Sequence, residues 1–276
     1  MNIKKVNLII LPATIILLIY RFLHLLFGTD YSTGFSKSVV FDVALYTLLG
    51  AVLLFLALNF YYGRCAIPSL ENKKSKLVCY SVIIFAVFCE FMSVLELLEN
   101  KYLYITDNSN IMLARMVETI CAILGVLVGI CIVFESVKAM SLSTYKPNIL
   151  VCCVIILYFI AVLFTYYASQ YTMVTISQNL LGLFFWMSAP IFVYAYLRYL
   201  SNSKTVSSYK LSLIFGYFTA ICGLLVSVPR IVVSLFVEIE FVPFDTIEQL
   251  MILPTSIAVA IMTYRLSVIS KTETQQ

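Results

Sequence analysis

The sequence predicts an all-α membrane protein, a bundle of about eight transmembrane helices, and three observations support this fold class. Hydrophobic residues make up 62% of the 276 residues and charged residues only 12%, whereas soluble domains carry about 25% charged residues. Eight apolar segments are each close to the roughly 20 residues that a helix needs to cross a bilayer. Basic residues also alternate between successive loops, as they do in membrane proteins of defined orientation. We therefore expect the lipid bilayer to be the main partner of this chain.

The eight apolar segments follow one another with short loops between them. They cover approximately residues 6–27, 39–62, 77–98, 113–137, 149–168, 177–197, 211–237 and 249–266. No charged residue occurs between Lys146 and Arg198, so the fifth and sixth segments predict a hairpin of two helices. Lys4 and Lys5 precede the first segment as in a signal peptide, but the apolar run continues to about Phe27 without an A-x-A cleavage site. We therefore expect a retained first span.

Lysine and arginine residues favour one set of alternate loops. Of the 18 basic residues, thirteen lie in the N-terminal segment, the second, fourth and sixth loops and the C-terminal tail: Lys4, Lys5, Arg64, Lys73, Lys74, Lys76, Lys138, Lys146, Arg198, Lys204, Lys210, Arg265 and Lys271. The opposite loops contain only Lys37 and Lys101 beside several acids. Because basic loops stay on the cytoplasmic side, the pattern predicts a cell-membrane protein with both termini in the cytoplasm.

The sequence lacks the motifs of common enzyme and cofactor sites. It contains no GxxxxGK[ST], HExxH, GxSxG or GxGxxG pattern, and its short loops leave no room for a soluble catalytic domain. One histidine, His24, and eight cysteines without a CxxC pair offer few ligands for zinc or haem, and no cysteine pair falls on outer loops to form a disulfide. A net charge of +4, spread along the chain, does not indicate nucleic-acid binding. We therefore expect no cofactor, no metal and no nucleic-acid partner, and favour a protein that is not an enzyme.

The third and seventh segments suggest an internal duplication. At a constant offset of 134 residues, the corresponding pairs are Arg64 with Arg198, Lys76 with Lys210, Val82 with Gly216, Ala86 with Ala220, Cys89 with Gly223 and Ser93 with Ser227. Within the segments their alternating spacing of four and three places them on one helix face, where small residues let membrane helices pack closely. The pattern predicts two tandem four-helix repeats in parallel orientation, residues 1–140 and 141–270. The alternative is a chance similarity between apolar helices.

Charged and polar side chains within the segments gather near their outer ends. Such groups are costly in a membrane, so they usually face each other, water or a ligand. The outer cluster is predicted to contain Arg21, His24, Asp42, Glu96, Arg115, Glu118, Arg230 and Glu248. The candidate ligand-binding residues, which include the deeper Glu90, are Asp42, Glu90, Glu96, Arg115, Glu118 and Arg230. Two interpretations remain open: salt bridges that fix helix packing, or a site for an ion or small polar solute entering from outside.

Glu90 lies deeper in the bundle than the other candidates. It is about 21 Å along the third segment from Lys76, at about 1.5 Å per residue of helix. An acid at that depth belongs either to an ion pathway or to a hydrogen-bonded core, and the sequence does not separate the two.

Prolines lie inside the sixth, seventh and eighth predicted helices. Pro229 lies inside the seventh segment, and a proline removes one helical hydrogen bond and bends the helix. The carbonyl groups near Leu225 and Val226 should therefore need other partners or a cavity. Pro190 and Pro254 create the same situation in the sixth and eighth segments. Such breaks occur at transporter sites, although prolines are also common in membrane helices for structural reasons.

The end of the first segment resembles part of a known group of proteins. The stretch Tyr20–Phe35 reads YRFLHLLFGTDYSTGF, an aromatic-rich helix end followed by a loop that contains Thr33 and Gly34. It resembles uncharacterised bacterial multi-pass membrane proteins with an aromatic-rich first helix and a TG-containing loop. The resemblance covers this stretch and the overall layout. It implies a bacterial inner membrane and brings no known activity or functional residue.

Three functions are compatible with these features. The first is a small-solute or ion transporter, or a ligand-binding membrane component, with its site in the outer polar cluster. The second is a non-catalytic membrane subunit or scaffold that works with a partner chain, in which the charges only lock helices together. The third, which no motif supports, is an intramembrane enzyme that acts on lipid-borne substrates.

Overall fold

Eight helices in sequence order make up most of the structure. The computed structural model describes residues 3–30, 35–62, 76–102, 109–141, 146–170, 177–201, 206–236 and 247–273. Within these ranges the helices are α1 (Ile3–Leu23), α2 (Val39–Tyr62), α3 (Lys76–Tyr102), α4 (Ser109–Ser141), α5 (Ile149–Gln170), α6 (Ser177–Leu200), α7 (Val206–Ser234) and α8 (Ile247–Glu273). A five-residue π turn, His24–Gly28, continues α1. The described ranges contain no strand beyond an isolated bridge, so the predicted all-α helical bundle is confirmed.

Seven of these helices are long and apolar enough to cross a membrane. Their apolar stretches run from 18 residues in α3 to 29 residues in α7. In α8 the described apolar stretch is Met251–Ser267, which is about 17 residues and so lies at the lower limit for a span. The multi-pass membrane character is confirmed, and the eighth crossing is supported by a shorter stretch than the others.

Apolar side chains cover the outer surface of the bundle. Large hydrophobic residues are exposed on several helices, including Leu8 on α1, Val39 on α2, Ile84 on α3, Ile120 on α4 and Leu150 on α5. Soluble monomers rarely expose apolar patches of more than a few hundred Å². The lipid tails of a bilayer accept such a surface.

The helix α7 occupies the centre of the bundle. In an 18-residue apolar window of α7, 72% of the residues are buried within the protein, compared with 17% in the corresponding window of α2. It packs against α6 and α8, and α1, the π turn and α2 also contact it. α3 packs mainly against α4 and α8, while α5 contacts α4 and α6. A change in the direction of α7 would therefore displace the helices that pack against it.

The small residues predicted to face protein on α7 are buried between neighbouring helices. They are Gly216, Ala220, Gly223 and Ser227. A methyl group on Gly223 would lie 2.5 Å from the Cβ of Ser256 on α8 and 2.8 Å from the ring of Phe185 on α6. These distances are shorter than van der Waals contact, so glycine is what lets the three helices approach this closely.

The corresponding residues of α3 also face protein. Cys89 and Ser93 are buried, and a methyl group on Gly125 of α4 would collide with the Oγ of Ser93. One turn further along α4, a methyl group on Gly129 would collide with the Cγ of Glu90. Both small-residue faces are thus packing surfaces, as their spacing predicts. The duplication into two four-helix halves itself stays a prediction.

Candidate ligand-binding site

The chain reverses direction after α1 in a compact hairpin. The π turn leads into a bridge between Thr29 and Ser36, and the backbone N–H of Lys37 donates to the carbonyl of Gly28 at 2.7 Å. A side chain at Gly28 would place its Cβ 2.7 Å from the Cδ2 of His24 and 3.0 Å from the ring of Phe41. Glycine at this position therefore lets the hairpin close while His24 stacks on Phe41, with ring centroids 5.5 Å apart.

Arg21 is the best-buried charged side chain at this end of α1, with a relative exposure of 0%. Its Nη1 donates to the Nδ1 of His24 at 2.9 Å, and its Nη2 donates to the Oε1 of Gln178 at 2.9 Å. Because a guanidinium can only donate, the Nδ1 of His24 must accept. The Nε2 of His24 then carries the proton and donates to the Oγ of Ser36 at 2.6 Å.

Gln178 connects this cluster to α7. It lies near the start of α6 and is buried. While its Oε1 accepts from Arg21, its Nε2 donates to the backbone carbonyl of Val226 at 2.9 Å. Val226 precedes Pro229 by three residues, so its carbonyl lies in the turn that the proline disrupts. The Val226 carbonyl, one of the two expected to need a partner near this proline, accepts from a side chain of a different helix.

Two polar atoms of α2 complete the cluster. The Oδ1 of Asp42 lies 3.6 Å from the Nε2 of His24, and Tyr46 follows one helical turn later, with its ring edge-on to Phe184 of α6 at 6.3 Å. Both Asp42 and Tyr46 lie within electrostatic range of Arg21. The Oδ1 of Asp42 and the phenolic oxygen of Tyr46 are buried, and neither has a hydrogen-bond partner among the residues that the structure describes.

We call the group formed by Arg21, His24, Asp42, Tyr46 and Gln178 the outer polar site, after the end of the bundle that the sequence predicts to face outward. It combines a cation, a carboxylate, a phenol, an imidazole and an amide, contributed by α1, the π turn, α2 and α6. Such a mixture offers both donors and acceptors to a bound molecule. It does not contain the nucleophile–base geometry that would indicate covalent catalysis.

The structure distributes the six candidate residues over several places. Asp42 belongs to the outer polar site. Arg230 is buried on α7, one turn after Val226, and Glu118 is half-buried on α4. Glu96 and Arg115 lie on α3 and α4, but their side chains are outside the described residues, as is the side chain of Glu248 on α8.

Glu90 lies against α4 instead. Its side chain covers Gly129, which is near the middle of the apolar stretch Met116–Ser141. The carboxylate is half-buried and makes no hydrogen bond or ion pair within the described part of the chain. Both interpretations of this acid, an ion pathway and a hydrogen-bonded core residue, stay predictions.

Sequence reasoning missed several of the residues that connect the helices. Gln178 and Tyr46 are not among the predicted site residues, because they are uncharged and the prediction was based on charged residues within the spans. The need of Val226 for a donor was the signal that could have found Gln178, an amide in the charge-free stretch of the chain. At the other end of α1, Asn7 donates to Ser267 of α8 at 2.8 Å and accepts from Tyr217 of α7.

Glu135 on α4 was also overlooked. Its side chain is nearly buried and lies 3.6 Å from the Nζ of Lys138, one turn further along the same helix. This pair lies towards the end of α4 that is predicted to be cytoplasmic. It therefore stands apart from the cluster at the predicted outer end.

Comparison with known protein families, with curated proteins and with solved structures finds no match for this chain.

Proposed function

We propose that this chain is a bacterial inner-membrane protein that binds a small polar solute or ion at the outer polar site, as a transporter or as a ligand-binding membrane component. The observation that carries the proposal is the pair of buried oxygens on Asp42 and Tyr46 that have no hydrogen-bond partner in the described residues. An unsatisfied buried polar group costs about 1–3 kcal/mol. Such groups call for a water, an ion or a ligand that completes them.

The polar atoms also define the chemistry of the ligand. The carboxylate of Asp42 accepts hydrogen bonds only, so a ligand must offer it an N–H or O–H donor. The phenol of Tyr46 both donates and accepts, and Arg21 nearby favours an acceptor or a negative group. The complementary ligand is a small solute that bears a donor and an acceptor close together.

The predicted topology supports access from outside the cell. Lys4 and Lys5 begin α1, and Arg21 lies about 26 Å further along, at about 1.5 Å per residue. With the N-terminus in the cytoplasm, this distance brings Arg21 towards the outer side of the hydrocarbon, which is about 30 Å thick. Labelling of single cysteines placed in the 65–76 connection tests this orientation. Reaction with a membrane-impermeant maleimide in intact cells would reverse the topology, and the outward-facing site would be abandoned with it.

A scaffold function has support from a different observation. Two hydrogen bonds, from Arg21 to Gln178 and from Gln178 to Val226, join α1, α6 and α7. Such bonds are expected where polar residues only hold helices together. In a scaffold, Asp42 and Tyr46 would only help to hold Arg21 in place, and no solute would bind there.

Thermal unfolding of the purified protein in detergent separates the two functions. We expect free glycine, a small solute that carries a donor and an acceptor, to raise the unfolding midpoint, since a ligand at about 100 times its Kd adds about 2.7 kcal/mol to stability. Tetramethylammonium, a cation without N–H donors, should have no effect.

Two variants complete this test. Tyr46→Phe should weaken the response to glycine, whereas Tyr264→Phe, which alters an exposed tyrosine on α8, should leave it unchanged. If glycine leaves the unfolding midpoint unchanged while Tyr46→Phe stabilises the protein, the outer polar site contains no ligand and only holds the helices together. The scaffold function is then correct.

A further inference from the structure

We propose that occupancy of the outer polar site controls the bend of α7 at Pro229, with Gln178 as the residue that connects the two. The ligand-dependent half of this inference rests on the function proposed above. The connection itself rests on two hydrogen bonds that the structure shows, from Arg21 to Gln178 and from Gln178 to the carbonyl of Val226.

The amide of Gln178 uses its two ends for two different helices. Its oxygen accepts from α1 and its nitrogen donates to α7, both at 2.9 Å. A primary amide is planar, so these two atoms rotate together about the same bond and neither can move far without the other. The residue is only 3% exposed, so water cannot readily replace a bond that is lost. A displacement of Arg21 therefore reaches the Val226 carbonyl through one rigid group.

The Val226 carbonyl lies in the part of α7 whose hydrogen bonding Pro229 disturbs. Pro229 has no N–H to donate to the carbonyl of Leu225, and its ring pushes the preceding turn open. A carbonyl in an opened turn needs a donor from outside the helix when no water is present. Gln178 supplies this donor and so stabilises the bent form of α7. Without that bond, the Val226 carbonyl loses its donor and the turn around Pro229 becomes less stable.

A ligand with a donor and an acceptor would change this balance. Its donor would bind Asp42, and its acceptor would draw the guanidinium of Arg21 away from Gln178. The buried oxygen of Gln178 would then lack a donor, and the amide would rotate to regain one. Val226 would lose its bond, and α7 would change its bend. By linkage, anything that straightens α7 must alter ligand affinity by the same factor.

The position of α7 makes such a change consequential. It is the most buried helix of the described bundle and contacts α1, α2, α6 and α8. Its face before the bend packs tightly on α8 and α6 around Gly223. A changed bend would therefore shift the helices on both sides of α7, which is what a solute carrier or a signalling receptor requires.

The ligand-free part is tested by hydrogen exchange across residues 224–234 of the full-length protein. Gln178→Leu should accelerate amide exchange there about three- to tenfold, the factor for one buried hydrogen bond of ordinary strength. In a Pro229→Ala background the same substitution should have almost no effect, because the helix then closes its own turn. Gln178→Glu keeps an acceptor for Arg21 but loses the donor to Val226, so it should reproduce the acceleration if Gln178→Leu folds poorly. Equal acceleration with and without Pro229 would overturn the connection.

The ligand-dependent part uses glycine as the probe. Glycine should alter exchange across residues 224–234 in the wild-type protein and not in Gln178→Leu, although both proteins should still gain thermal stability from it. If glycine stabilises the wild-type protein but leaves exchange in α7 unchanged, binding exists without the connection and this inference is wrong. If glycine does not bind at all, the proposed function is wrong, and so is the ligand-dependent half of this inference. The comparison with Pro229→Ala still shows whether Gln178 connects Arg21 to α7.

Discussion

The proline positions of two helices, Pro229 in α7 and Pro254 in α8, receive a side-chain donor in different ways. In each helix, the carbonyl three residues before the proline accepts a side-chain hydrogen bond. At Pro254 the donor is Thr255, the next residue of the same helix, whose Oγ1 lies 2.6 Å from the carbonyl of Met251. At Pro229 the donor is Gln178, which belongs to α6 and is itself held by Arg21 of α1.

The difference shows how a membrane helix can be isolated from its neighbours or joined to them. A bend satisfied by its own helix keeps its shape when neighbouring helices move, because donor and acceptor travel together. A bend satisfied by another helix changes when that helix, or anything attached to it, moves. We therefore expect α8 to act as a fixed support and α7 as the element that responds to the outer polar site.

The largest effect should come from Arg21→Met. The substitution removes the donor to Gln178 and to His24 and leaves two buried acceptors unsatisfied, so we expect a loss of about 3 kcal/mol in the free energy of unfolding. Thermal or chemical unfolding in detergent measures it. Arg21→Lys should recover only part of the loss, since a single ammonium does not reproduce the planar guanidinium that reaches two partners. Full recovery by lysine would mean that only the charge matters, and α7 would then be no more dependent on α1 than α8 is.

Gly223→Ala should cost about 2 kcal/mol because the new methyl group collides with Ser256 and Phe185. This position lies where α7 packs on α8, so the substitution should loosen the packing between the two helices. Gly50→Ala is the matched control, because nothing lies within 4 Å of a methyl group there, and it should stabilise α2 by up to about 1 kcal/mol. The two variants are compared by unfolding under identical conditions. A neutral Gly223→Ala would show that α7 and α8 are not in tight contact at this point.

Thr255→Val should cost about 1 kcal/mol, since it leaves the Met251 carbonyl without its side-chain donor. The loss should add to that of Gln178→Leu without interaction, as it does for independent sites. A double-mutant cycle by unfolding measures this additivity. A coupling energy well above about 0.5 kcal/mol would show that the two bends communicate and that α8 is not a fixed support.

Asn7→Leu should have a small effect, about 0.6 kcal/mol for each of the two hydrogen bonds that it removes, the average for hydrogen bonds between membrane helices. Asn7 joins α1 to α7 and α8 at the end opposite Arg21. The variant should leave hydrogen exchange around Pro229 unchanged, since that bend depends on the Arg21 end of α1. Faster exchange at residues 224–234 in this variant would show that α1 acts on α7 along its whole length.

Much of the fold could be predicted from the sequence because the bilayer imposes a simple rule on length and polarity. The uncharged run between Lys146 and Arg198 correctly predicts the α5–α6 hairpin, and the spacing of Gly216, Ala220 and Gly223 correctly predicts a buried face. The need for a donor near Val226 was likewise predictable, because proline chemistry is local. Each of these inferences depends on the sequence of a single segment and not on how the helices pack together.

The identity of the donor could not be predicted in this way. Gln178 lies 48 residues before Val226, and only the packing of α6 on α7 brings them together. Charge was a partial guide to proximity, since Arg21, His24 and Asp42 meet as the predicted cluster requires, whereas the side chain of Glu90 packs on Gly129 of α4. Depth along a helix can be read from the sequence, but the direction in which a side chain points depends on neighbours that the sequence does not name.

The π turn at the end of α1 sets a condition on chain length. A π turn holds one residue more than an α turn, and each residue added to or removed from a helix rotates the next part of the chain by about 100°. Deleting one residue from His24–Gly28 would restore a regular helix and swing Gly28 away from Phe41, so the reversal into α2 would lose its tight fit. The additional residue of the π turn therefore rotates the chain so that it can reverse into α2 while Arg21 still faces the interior of the bundle. Natural relatives with one residue fewer in this stretch should close the reversal by a different route.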